Sequence, residues 1–112
     1  MKTITLKVTK ENIGGNDFYF STFDLLKIAI NNPQKGGFDV DEMMKRLRLL
    51  EKLDAHKEKF EIGEKAITDE MVGLEATLEL EDADFNKMKE LFKLAKWNVV
   101  SNTIVELSKV FA

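Results

Sequence analysis

The sequence predicts an α+β domain, a small and mostly antiparallel sheet with about four helices packed on one face. Two observations predict it. Residues near the N-terminus and again around position 75 alternate apolar and polar side chains with period two, as half-buried strands do. Other stretches carry apolar residues three and four apart between capping and breaking residues, as amphipathic helices do. The 112 residues, 44% of them hydrophobic, fit a single domain over 1–112, since separate cores need about 100–200 residues each. Eight Phe, one Tyr and one Trp give enough aromatic mass for one core without disulfides or metal.

The first strand is read from Ile4, Leu6 and Val8 on one side and Thr3, Thr5, Lys7 and Thr9 on the other. Gly14-Gly15-Asn16-Asp17 signals a turn into Phe18-Tyr19-Phe20, a second strand that completes a hairpin. Ser21 or Thr22 is placed to cap a helix that points Phe23, Leu26 and Ile30 inward, flanked by Leu25 and Ile28. Asn31-Asn32-Pro33 ends it, because proline disfavours helix in the residue before it.

Asp39, with Glu42 three residues on, is a capping-box-like start for the longest helix, about residues 40 to 57. Its expected buried stripe is Met43, Leu47, Leu50 and Leu53, with Lys45, Arg48 and Lys52 together on another face. Phe60 and Ile62 alternate with Glu61 and Gly63 and predict a third strand; Leu74, Ala76, Leu78 and Leu80 alternate with Glu75, Thr77, Glu79 and Glu81 and predict a fourth. The stretch 64–73 between them reads as a loop or a short helical turn. Asp82 is placed to cap a helix with Phe85, Met88, Leu91, Phe92 and Ala95 on one face and Lys89, Lys93 and Lys96 on another. After Trp97, Ser101 is placed to cap a last helix with Ile104, Leu107 and Phe111 inward.

The absence of cysteine excludes disulfide scaffolds, Cys-ligated zinc, iron–sulfur clusters and thiol catalysis. No apolar run exceeds three residues, whereas a secretory core or membrane span needs a far longer one, so no membrane contact is expected and the chain is read as cytoplasmic. The net charge of −3 gives no global attraction to nucleic acid. Charge is segregated, however. Residues 60–84 hold nine acidic groups against one basic, while 1–59 and 85–112 are both net basic.

Candidate chemistry is sparse. Gly14-Gly15 and Gly36-Gly37 lack the spacing of a phosphate-binding loop and are explained by turns. His56 is the only imidazole, so any Ser-His-Asp relay or histidine metal site would rest on it alone. In the last turn of a helix it complements the dipole as a solvated side chain. Glu75, Glu79 and Glu81, followed by Asp82 and Asp84, offer hard oxygen ligands for Mg²⁺ or Ca²⁺, but their spacing matches no EF-hand. A solvent-facing edge strand accounts for the glutamates better, and a helix N-terminus accounts for the aspartates. Trp97 and Phe38, at element boundaries, read as edges of the core. No catalytic residue, cofactor or metal is assigned. The partner-binding candidates are Glu75, Glu79 and Glu81 on the acidic strand and Lys45, Arg48 and Lys52 on the long helix.

Two stretches carry a resemblance: Asn32 to Glu51 (NPQKGGFDVDEMMKRLRLLE), and Leu78 to Phe85 (LELEDADF) leading on to Lys96-Trp97. Together they resemble small proteins of tailed bacteriophages and prophages, with an NPxxGGxxxDEMxKRLRxL helix and an LxLEDADxxxL segment. The resemblance implies a viral or prophage setting, with a location in the bacterial cytoplasm or on the virion, and assigns no catalytic residues.

The expected function is therefore non-enzymatic: protein–protein interaction or assembly, with a protein partner or a second copy as the binding mate. The alternative is a nucleic-acid-related regulator, binding DNA through its basic helices or mimicking DNA with its acidic block. Direct binding is disfavoured by the net charge and by the lack of an aromatic platform. An enzyme, a metal-supported hydrolase on Glu79, Glu81 and Asp84, ranks behind both. A small-molecule ligand is left open.

Overall fold

The computed structural model of the chain describes residues 1–60 and 68–112. The fold is α+β. Its sheet has three antiparallel strands, with β1 (Lys2–Ile13) in the centre, β2 (Asn16–Ser21) on one side and β3 (Glu75–Leu80) on the other. The helices are α1 (Thr22–Ile30), α2 (Val40–Asp54), the single turn α3 (Lys57–Phe60), α4 (Asp82–Leu94) and α5 (Asn102–Val110), with a 3₁₀ turn at Asp69–Met71.

β1 is long enough to serve two partners in succession. Its first half pairs with β3, from Lys2 opposite Leu80 to Lys7 opposite Glu75, and its second half pairs with β2, from Val8 opposite Ser21 to Ile13 opposite Asn16. The hairpin closes through Gly14 and Gly15 at φ +61° and +88°, the left-handed pair that a two-residue turn between twisted strands requires. Where β2 ends, the Thr22 hydroxyl stands in for a strand. It accepts from the Lys7 N–H and donates to the Lys7 carbonyl, both at 3.3 Å. Ser21 is the residue preceding α1, but its side chain makes no cap hydrogen bond.

Period-two burial follows the sequence reading. Ile4, Leu6, Val8, Leu78 and Leu80 are buried, and Thr3, Thr5, Glu75, Thr77 and Glu79 face out. Phe23, Leu26, Leu49, Leu53, Met88 and Leu91 complete the core over that face. α5 runs along the flank of β1, from Ser101 beside Glu11 to Phe111, whose ring meets Phe85 and Phe92 at 5.4 and 5.3 Å between centroids. Ile104, Leu107 and Phe111 are buried as expected.

Several expectations are corrected. Phe60 belongs to no strand: it ends α3 and is buried, stacked on Phe23 at 6.2 Å. The rest of that expected strand, including Ile62, lies outside the described residues, as does 64–67 of the ambiguous stretch, of which 69–71 form the 3₁₀ turn. Ile28 points outward and Ala29 takes its place in the core. α2 ends at Asp54, so His56 lies half-buried in the turn to α3 rather than in the helix. Glu81, not Asp82, precedes α4. Its extended backbone links buried Leu80 to the helix, its carbonyl accepts from the Phe85 N–H at 2.9 Å, and Asp82 and Asp84 fall in the first turn, where the helix dipole favours acids. Among the described residues no helix is long and apolar enough to cross a membrane.

Candidate interaction surface

The site is built around Arg46, a residue whose type belongs on a surface and which here is 7% exposed. The last carbonyls of a helix lack intrahelical donors. At the end of α1 the Arg46 guanidinium supplies them, Nη1 donating to the Ile30 carbonyl at 2.9 Å and to the Asn32 carbonyl at 2.7 Å. Its Nε donates to Glu42 Oε1 at 3.0 Å, and the Phe38 ring lies 4.4 Å from the guanidinium carbon. Glu42 is shared with α4, accepting from Lys87 Nζ at 2.6 Å. The Lys87 hydrogen bond first, and the Arg46 one second, hold the Glu42 carboxyl below its ordinary pKa. Burial works against the Lys87 charge, yet Glu42 and Glu90 outweigh it and raise the lysine. α2 is thus anchored to α1 and α4 through one buried ionic network.

This network sets the rotation of α2 about its axis. With Arg46 inward, the residues one and two turns on are Leu49 and Leu53, each 1% exposed, and Glu42 completes the inner stripe. The expected stripe of Met43, Leu47, Leu50 and Leu53 is therefore corrected. Only Leu53 is fully buried, Leu50 is half-buried at the edge, and Met43 and Leu47 turn outward. Val40 at 70%, Met43 at 45%, Met44 at 64% and Leu47 at 62% exposure form an apolar strip along the solvent side of α2. Shallow depressions of about 310 and 400 Å³ flank it, one lined by Phe38, Met43, Leu47 and Leu50 and the other by Asp41, Met44, Lys45 and Arg48.

Of the residues expected to bind a partner, Lys45 and Arg48 edge this strip. Lys45 pairs with Asp41 one turn earlier at 3.0 Å, and Arg48 Nε reaches Asp84 Oδ1 at 2.9 Å. Asp84 is 5% exposed, and that ion pair is its structural task. Lys52 is exposed further along α2. Glu75 and Glu79 do face outward from β3, but Glu81 lies beyond the strand, and among the described residues no ion pair or hydrogen bond joins the glutamates to the basic trio. The two sets do not form one site. Among the described residues no group of three or more His, Asp or Glu side chains is arranged to hold a metal ion.

Two further polar clusters went unread in the sequence. Glu11, on β1, caps α5: it accepts from the Ser101 hydroxyl at 2.5 Å and from the Asn102 and Thr103 N–H groups at 2.8 and 3.2 Å. Burial opposes its ionisation, but the Ser101 and Thr103 hydroxyls and the two amides prevail and bring its pKa to about 2. Ser101 itself accepts from the Ile104 N–H at 3.3 Å, the expected cap. Asp69 ties the 3₁₀ turn to the hairpin, accepting from the Tyr19 hydroxyl at 2.6 Å and from Lys10 Nζ at 3.0 Å. Trp97 and Phe38 are edge residues, as read, packing on Phe92 and on Arg46 respectively.

Comparison of the chain with known protein families, with curated proteins and with solved structures finds no match.

Proposed function

We propose that this protein is a non-enzymatic interaction module that docks onto another protein through the outer face of α2. The observation that carries the reading is the strip Val40, Met43, Met44 and Leu47, solvent-exposed on a helix otherwise fixed in place by Arg46 and Glu42. Contiguous exposed apolar surface, rimmed by charge, marks interaction sites on monomers. Two unbranched methionines let such a surface adapt to its mate. A rigid helix loses little conformational freedom on docking, so more of the contact energy appears as affinity. The phage or prophage setting implied by the resemblance, with a role as an assembly or accessory factor, belongs to this proposal.

Photo-crosslinking tests it. A photoreactive residue in place of Met44, in cells that make the protein, should give a discrete protein adduct that disappears when Leu47→Glu is added. The same label in place of Thr77, on the outer face of β3, should give none. Adducts that are absent, or equal from both positions, would contradict the reading.

A further inference from the structure

Resting on the reading of α2 as a docking face, we infer that its mate is a second copy of this chain, laid antiparallel across α2 about a two-fold axis near Met43 and Met44. The strip runs from Val40 to Leu47, roughly 10 Å of helix at 1.5 Å per residue. An isologous contact must be self-complementary, each residue meeting its symmetry mate's opposite number. Centring the apolar strip on itself sets Val40 against Leu47 of the second copy and Met43 against Met44. No freedom remains to place the charges, yet they fall in matching positions. Asp39 and Asp41 occupy the N-terminal end of the exposed face, and Lys45 and Arg48 lie beyond its middle. The same register sets Asp41 between Lys45 and Arg48 of the second copy, so that the Asp41–Lys45 pair within each chain joins that of its mate in one alternating cluster while Arg48 keeps Asp84, and it sets Glu51 near Lys35 in the mate's α1–α2 loop. A parallel arrangement would turn the flank that carries Asp41, Lys45 and Arg48 toward the opposite flank of the mate, where Met43 and Leu50 lie, and would leave these charges without counterparts. Antiparallel packing also opposes the two helix dipoles favourably.

The size of the contact places it among the weak associations. An apolar patch on a monomer is typically about 300–600 Å², below the roughly 800 Å² per partner of a standard stable interface. Phe38, Leu50 and the charged rim must join it, and the dimer is a weak one.

Sedimentation equilibrium of the whole chain from 10 µM to 1 mM tests this. The wild type should pass from monomer to dimer across that range, and dissociation should strengthen between 0.05 and 0.5 M salt. Leu47→Glu and Met44→Glu alter exposed side chains, so both should melt like the wild type and weaken dimerisation at least tenfold. Asp41→Lys should weaken it several-fold, and Asp41→Lys combined with Lys45→Asp should recover part of the loss, because the swap restores the contact across the axis with position 45 but not with Arg48. A wild type that is monomeric at 1 mM, or a dimer untouched by Leu47→Glu, overturns the inference. If the Met44 crosslink then joins a foreign protein, only the identity of the mate is wrong. If it joins nothing, the docking reading falls with it.

Discussion

Arg46 is the residue on which the account turns. A buried guanidinium is tolerable only where its donors find acceptors, and here the Ile30 and Asn32 carbonyls, the Glu42 carboxylate and the Gln34 side-chain oxygen meet that need, with the Phe38 ring against the planar face. Arg46→Ala should therefore cost about 3–5 kcal/mol in urea unfolding, because it leaves Glu42 and two carbonyls short of donors. Arg46→Lys should rescue only part of this, since a point ammonium cannot span the same acceptors. Glu11 makes a prediction of pH dependence. Its carboxyl titrates at about 2 in the folded chain against 4.5 ordinarily, so between those values the unfolded chain binds the additional proton. Its contribution is complete above about pH 4.5 and is lost as pH falls toward 2. The slope of stability against pH in that window should flatten in Glu11→Gln. At pH 7 the same variant should be less stable by about 1 kcal/mol, the scale of a lost helix cap.

Elements differ in how far their sequences declare them. β1 and β3 were legible because alternation admits one choice of face: a register slip would expose Leu78 and bury Glu79. Leu78→Asp should accordingly abolish cooperative unfolding. Glu75→Gln, Glu79→Gln and Glu81→Gln together should shift the melting midpoint little, these side chains being exposed. A large drop would show that they are internally paired. α4 and α5 were legible for a similar reason, each having one apolar face. α2 was not, because it is apolar on two sides. Leu49 and Leu53 make one stripe and Met43, Leu47 and Leu50 another, and periodicity alone cannot rank them. The choice rests on acceptors at the end of α1, a tertiary fact that spacing within α2 does not contain. Glu11 was invisible for the same kind of reason, its partners lying some ninety residues away. Phe60 was read into a strand because two alternating apolar residues are too few to separate a strand from the end of a helical turn.

For the whole molecule, the sheet supplies one wall of the core and the helices the other, and α2 is tied to both of its helical neighbours. Leu49 and Leu53 seat it on the core, and buried polar ties fix it further, Arg46 to the end of α1 and Glu42 to Lys87 of α4, with Arg48 to Asp84 at the rim. Apolar side chains on its far side are therefore held out in water by a scaffold that does not need them. That phase of α2 is the central claim, and the docking face and the two-fold contact both depend on it. The direct measurement is a paired denaturation of Leu47→Glu and Leu49→Glu at low protein concentration, followed by circular dichroism. Leu47→Glu should unfold within about 0.5 kcal/mol of wild type, as exposed substitutions do, and Leu49→Glu should lose several kcal/mol or not fold, because it buries an unpaired charge. The reverse order, with Leu47→Glu the damaging change and Leu49→Glu the tolerated one, would contradict the claim.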